Sequence, residues 1–368
     1  MKSSKGIALA IAAVLLIFGV YWGYKNIINP KIAANKLCKT EENCLKALNI
    51  GENSALALNY SKDGKYLLGR GLDGTRKWAS TDDYKEQRLG KSTAIAIATD
   101  GRYAVAKDNK KVQIFDAEGQ EILEFSVAGK TDRSIKKMVF VPGYDVIAMI
   151  LPSEERGKPL LTFWSTRNGE FISKLTHPSS IASLEKSEQG IIAVGMYNGQ
   201  VFLWPMSDLS NKKLITASQN EATIQALAFD QKARILATGD SEGKTTLWDT
   251  KTGQMIKEFE QTDSLIKALA ISNNGKILAS GSYDGLYRLW NIETGKLLES
   301  QQYDSGISAI SLTPDAKQLA ISLQKEIIIT SKRVKNTKSY GPKWVEVESK
   351  NTIPGLILIR DLSKLNFN

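Results

Sequence analysis

The chain has 368 residues, 42% of them hydrophobic and 24% charged, a balance that supports a sizeable buried core and argues against disorder. Its net charge of +10 is confined to two segments: residues 1–40 carry six lysines and no acid, residues 331–350 carry six bases against Glu346 and Glu348, and the remainder holds 37 bases and 37 acids. A neutral body lacks the continuous basic face that phosphate backbones require, so no nucleic-acid partner is expected.

Between Lys5 and Lys25 lie 19 uncharged residues, GIALAIAAVLLIFGVYWGY. As a helix this run is long enough to cross the roughly 30 Å hydrocarbon layer of a bilayer. Tyr21, Trp22 and Tyr24 fall at its end, where amphipathic rings favour the headgroup boundary. Residues 1–24 therefore read as a transmembrane signal anchor, and residues 25–44 as a linker. A cleaved signal peptide is the alternative, but small-x-small triplets occur only inside the apolar run. Charge gives no clear orientation, because lysines flank the run on both sides. The short basic leader resembles that of bacterial signal anchors, which export the domain behind them. On that reading the chain is a single-pass protein of the bacterial inner membrane facing the periplasm.

Cys38 and Cys44 are the only cysteines. In an oxidising compartment they could form a disulfide; the alternative is two unrelated thiols, with Cys44 packed at a strand edge. Two cysteines and a single distant histidine, His177, make no zinc framework.

From residue 55 onward the chain repeats. Alternating apolar strands begin with ALALNYS at 55, TAIAIAT at 93, IKKMVFV at 135, IASLEKS at 181, TIQALAF at 223, LIKALAI at 265 and ISAISLT at 307. Most are followed by a turn such as Asp63-Gly64 or Asn274-Gly275, a second strand, and a second turn such as Asp73-Gly74, Asn198-Gly199 or Asp284-Gly285. Third strands end in Trp78, Phe115, Trp164, Trp204, Trp248 and Trp290, and a Thr-Gly or Asn-Gly turn leads to a fourth. The glycines suit the positive φ of two-residue hairpin turns. Small sheets of this kind must pack against their neighbours, and a ring satisfies all of them.

The stretch LASGSYDGLYRLWNIETG resembles a WD40 repeat, and residues 45 to about 362 are similar to a WD40 β-propeller. The fold expected is all-β: a seven-bladed WD40-like propeller preceded by a single N-terminal transmembrane helix. The resemblance implies protein partners, a scaffold role and no catalysis. It departs from the family in its histidine: the Gly-His pair of many WD40 repeats is missing, so the buried network that joins histidine, turn aspartate and tryptophan is expected to be absent. His177 reads as a surface loop residue.

Leu45 to Ile50 aligns with a fourth strand standing ahead of the first blade, where it would complete the seventh. LILIRDL at 356–362 would be the third strand of that blade, with Arg360 in the tryptophan position; KEIIIT at 325–330 is the alternative. About 28 extra residues fall near 329–354. Within them a basic hairpin at about 331–352 interleaves Lys332, Arg333, Lys335, Lys338 and Lys343 with Tyr340 and Trp344. These are candidate partner-binding residues, suited to a protein or an anionic lipid surface; the alternative is a solvated hairpin with Trp344 packed on the propeller.

No catalytic, cofactor-binding or metal-binding residues are expected. Asp230, Asp240 and Asp304 fall at loops, where aspartate serves the backbone. No phosphate-binding glycine loop is present. The overall expectation is a membrane-anchored interaction scaffold that supports the assembly of a membrane or envelope complex. Two other readings stand beside it: an envelope enzyme with converging acids in the central channel, and a cytoplasmic-face adaptor of reversed orientation.

Overall fold

A computed structural model of the chain describes residues 38, 44–50, 55–71, 74–107, 111–127, 134–151, 160–217, 221–324, 326–335, 344–353 and 356–363. The expected anchor, residues 1–24, and most of the linker lie outside them. No helix among the described residues is long and apolar enough to cross a membrane.

The first strand, β1 (Cys44–Asn49), is followed by blade 1, made of β2 (Ala57–Tyr60), β3 (Tyr66–Gly71), β4 (Gly74–Ala79) and β5 (Lys85–Gly90). Blade 2 is β6 (Ala94–Ile97), β7 (Tyr103–Lys107), β8 (Lys111–Phe115) and β9 (Glu121–Ser126). Blade 3 is β10 (Lys137–Val141), β11 (Val146–Leu151), β12 (Leu160–Ser165) and β13 (Phe171–Leu175). Blade 4 is β14 (Ile181–Lys186), β15 (Ile191–Met196), β16 (Gln200–Pro205) and β17 (Lys213–Thr216). Blade 5 is β18 (Ile224–Phe229), β19 (Ile235–Asp240), β20 (Thr245–Asp249) and β21 (Met255–Glu258). Blade 6 is β22 (Ile266–Ile271), β23 (Ile277–Ser282), β24 (Leu286–Asn291) and β25 (Leu297–Gln302). Then come β26 (Ile307–Leu312), β27 (Gln318–Leu323), the hairpin β28 (Glu326–Lys335) and β29 (Trp344–Ile353), and β30 (Leu356–Asp361).

Among the described residues these strands form seven four-stranded antiparallel sheets and one two-stranded sheet. Six sheets use four consecutive strands; the seventh runs β26, β27, β30, β1. Blade 7 is thus closed by the N-terminal strand, with Cys44 opposite Arg360 and Asn49 opposite Leu356. The closing strand lies one residue before the expected span, so Ile50 is outside it, although it is buried between blades 7 and 1. Of the segment KEIIIT, residues 326–330 form part of β28 rather than a strand of blade 7.

The core is divided into seven clusters, each lying between two neighbouring blades. This is what a sheet with two apolar faces needs, since no blade covers itself. Trp78, Trp164, Trp204, Trp248 and Trp290 are all buried in these clusters or beside them. Close approach between blades also fixes a glycine: a Cβ on Gly239 would stand 2.4 Å from Ile266 Cγ2 of the next blade.

The turns differ from the expected two-residue type. Gly64 follows Asp63 with φ 71°, and its amide donates to the Ser61 carbonyl, so this turn places one residue, not two, in the left-handed region; the turn before β5 has two, Asp83 (φ 45°) and Tyr84 (φ 56°). Alanine takes that position in blades 5 and 7, as Ala233 (φ 52°) and Ala316 (φ 56°).

Arg360 fills the tryptophan position of blade 7 and is 2% exposed. Its guanidinium pairs with Glu299, donates to Gln301 and to the Tyr303 hydroxyl at 2.8 Å, and lies 5.7 Å from the Tyr287 ring. A charged cluster thus replaces the indole at the interface between blades 6 and 7.

Candidate functional site

Strands of each blade are lettered a to d outward from the central channel. One face of the disc carries the d–a connections and b–c turns, and the other carries the a–b and c–d turns.

The register of the a strands sets what the channel displays. The innermost residues are Ala57, Ala94, Lys137, Ser183, Ala226, Ala268 and Ala309, aligned through their partners on strand b. Six blades present a small residue; blade 3 alone presents a lysine. Two residues further along stand Asn59, Ala96, Val139, Glu185, Ala228, Ala270 and Ser311, of which only Glu185 is charged. Lys137 and Glu185 therefore project from adjacent blades into a channel built of small side chains.

A cavity of about 190 Å³ occupies this part of the channel, lined also by Arg70, Lys136, Gln225 and Lys267. Four cations and one acid surround it. Confinement among the blades, with Lys267 and Arg70 adding repulsion, lowers the Lys137 ammonium to about 8 despite the opposing pull of Glu185. Burial raises the Glu185 carboxyl, while Lys186 and Lys137 work against that rise. Burial also lowers Arg70. Toward the opposite face, Lys62 of blade 1 reaches Glu188 of blade 4 at 3.2 Å, and Lys186 reaches the same carboxylate at 2.9 Å. This ion pair spans the far mouth.

Around the near mouth, on the b–c face, Tyr197 and Tyr283 are 53% and 54% exposed, and Leu56 is exposed at the rim with Lys136 and Lys267. Blade 7 replaces its b–c turn by the hairpin, so β28 and β29 leave from this same face. Their strands pair over ten residues each, with Arg333 opposite Glu346 and Lys335 opposite Trp344, and they begin at Glu326, ahead of the expected 331. Lys332, Arg333 and Lys335 are thus on one strand and Trp344 on the other, whereas Lys338, Tyr340 and Lys343 lie outside the described residues.

Cys38 and Cys44 are joined by a disulfide with their Cα atoms 5.2 Å apart.

His177 corrects an expectation. It is 6% exposed, not a surface residue, because its ring sits edge-on against Trp204 at 5.0 Å. Neither ring nitrogen has a hydrogen-bond partner among the described residues, and burial, aided by Lys212, lowers its pKa to about 4. The histidine–tryptophan contact exists without the hydrogen-bond network. Two tryptophans keep a short link instead: Trp164 donates to Thr162 at 3.0 Å, which donates on to the Met149 carbonyl, and Trp248 donates to Thr238 at 2.9 Å.

Asp230 and Asp240 accept from backbone amides, Asp230 from Ile235 at 2.8 Å and Asp240 from Glu242 and Lys244 at 2.9 and 3.0 Å. Among the described residues no group of three or more His, Cys, Asp or Glu could hold a metal. Glu185 and Glu188 both line the channel toward the far mouth, and Glu188 is held there by Lys62 and Lys186.

Residues 253–291 match the family model of the WD domain, G-beta repeat, and residues 186–270 match the Anaphase-promoting complex subunit 4 WD40 domain. Over residues 186–291 this chain is similar to WD40 repeats. The structure of U3-55K and the crystal structure of the RRP9 WD40 repeats are similar to this seven-bladed propeller: each has a TM-score of 0.65 and 16% identity over 86% of this chain, covering 99% and 97% of theirs. At that identity the likeness establishes the fold alone. No curated protein matches the sequence.

Proposed function

We propose that this WD40 propeller is a protein-interaction scaffold, held beside a membrane by residues 1–24, and that its b–c face binds the partner. The observation that carries the reading is the grouping on one face of exposed Tyr197 and Tyr283, the apolar Leu56 and rim lysines, with the hairpin rising from the same face. Aromatic residues in an exposed patch are the usual anchors of protein interfaces. Tethering would confine the disc near membrane complexes and raise the effective concentration of weak contacts. The uncharged run between Lys5 and Lys25 supports the anchor, and the Cys38–Cys44 disulfide supports an oxidising compartment such as the periplasm.

The test is site-directed photocrosslinking in cells. A photoreactive residue at 197 or 283 should give discrete protein adducts, and one at Met255 on the circumference should not. Equal adducts from all three positions, or none from the face, would refute the assignment. A reporter active in only one compartment, fused after Asn368, decides the orientation.

A further inference from the structure

Lys137 stands where the other six blades carry alanine or serine, so it meets no packing requirement of the fold. Its side chain is open to the channel, and Arg70, Lys136 and Lys267 line the same cavity. None of these four cations has an ion pair or side-chain hydrogen bond among the described residues, although exposed lysines elsewhere on the disc are paired, as Lys111 is with Glu124 at 2.6 Å. Glu185, the one acid in the lining, leaves the cavity with an excess of three positive charges. A concave wall of one charge sign concentrates field within it and draws in counter-ions.

We infer that the channel mouth on the b–c face is a binding site for a compact multivalent oxyanion of the phosphate class, held by Arg70, Lys137 and Lys267. Three features select this ligand. The guanidinium of Arg70 offers paired donors to a tetrahedral oxyanion, and lysines serve phosphate as point charges. The cavity, at about 190 Å³, suits one or two linked phosphate groups rather than a folded peptide. At the far mouth Glu188 is already paired with Lys62 and Lys186, so the unbalanced positive charge lies at the b–c end.

Lys137→Ala installs the residue that five other blades carry at this position, so the variant keeps the fold, which a thermal melt verifies. The experiment is isothermal titration of the full-length chain in detergent at physiological salt with inorganic pyrophosphate, inorganic phosphate and a hexaglutamate peptide in separate runs. Pyrophosphate should bind with one-to-one stoichiometry and more tightly than phosphate. Lys137→Ala and Arg70→Met should each weaken it tenfold or more, Glu185→Gln should strengthen it, and Lys62→Met at the far mouth should leave it unchanged. Absence of pyrophosphate binding, binding indifferent to Lys137→Ala, or tighter binding of hexaglutamate would each overturn the proposal.

Discussion

Replacing Arg360 by methionine should destabilise the ring at the joint between blades 6 and 7. The guanidinium is 2% exposed and its partner Glu299 has a side chain 17% exposed, so removing the cation strands a carboxylate that is largely cut off from water. Breaking a fully buried ion pair costs about 3–5 kcal/mol. The residual exposure of Glu299 places this case at about 3 kcal/mol, equivalent to a fall in melting temperature of about 4–5 °C for a domain of this size. Burial opposes the Arg360 charge, yet Tyr303 and Glu299 together hold its pKa above the ordinary value, which marks the cluster as a coupled unit. The assay is a double-mutant cycle with Glu299→Gln, read by thermal melting. Coupled groups should make the double variant about 1–2 kcal/mol more stable than the two single losses combined. Additive losses, or a cost below about 1 kcal/mol for Arg360→Met, would refute the reasoning.

His177 predicts a pH effect of defined sign. Its folded-state pKa of about 4 lies below the ordinary 6.5, so the unfolded chain takes the proton first; stability is complete above pH 6.5 and falls as pH drops toward 4. Denaturant titrations at pH 7 and 5 should differ by about 2 kcal/mol from this residue, a difference that His177→Phe removes. Ala233→Gly and Ala316→Gly should each raise stability by about 0.5 kcal/mol, because relief of the left-handed strain exceeds the entropy that glycine adds to the unfolded chain; a lower urea midpoint would contradict this. Reduction, or Cys38→Ser, should lower stability by about 2 kcal/mol through the short loop it opens, measurable by melting with and without reductant.

Most of the propeller could be read from the chain because the blades repeat one pattern of apolar alternation and glycine turns, with a tryptophan ending strand c in five of them. Even the closing strand was visible, one residue out of place, since Leu45 to Ile50 carries the spacing of a strand without a blade of its own. Three features were harder to see. Ala233 and Ala316 occupy left-handed positions that glycine marks elsewhere, which hid two turns. His177 looks solvated among polar loop residues, and only the fold brings Trp204, 27 positions later, against its ring. Lys137 was legible in principle: comparing the same a-strand position across blades gives Ala57, Ala94, Ser183, Ala226, Ala268 and Ala309 against one lysine. What hid it was the neighbouring Lys136, which makes the pair look like an ordinary solvated charge cluster.

The pairing of β1 with β30 sets one of the earliest described strands to be synthesised against the last. Roughly 310 residues separate them, which at about 5–20 residues per second takes the ribosome on the order of 15–60 s. Throughout that wait Leu48 and Ile50 have only their blade 1 neighbours, without Ile357 and Ile359, and blade 7 has an open edge until Leu356–Asp361 emerges. The disc is therefore latched only once β30 has been made, and a chain cut short anywhere before it presents an unsealed flank to chaperones and proteases.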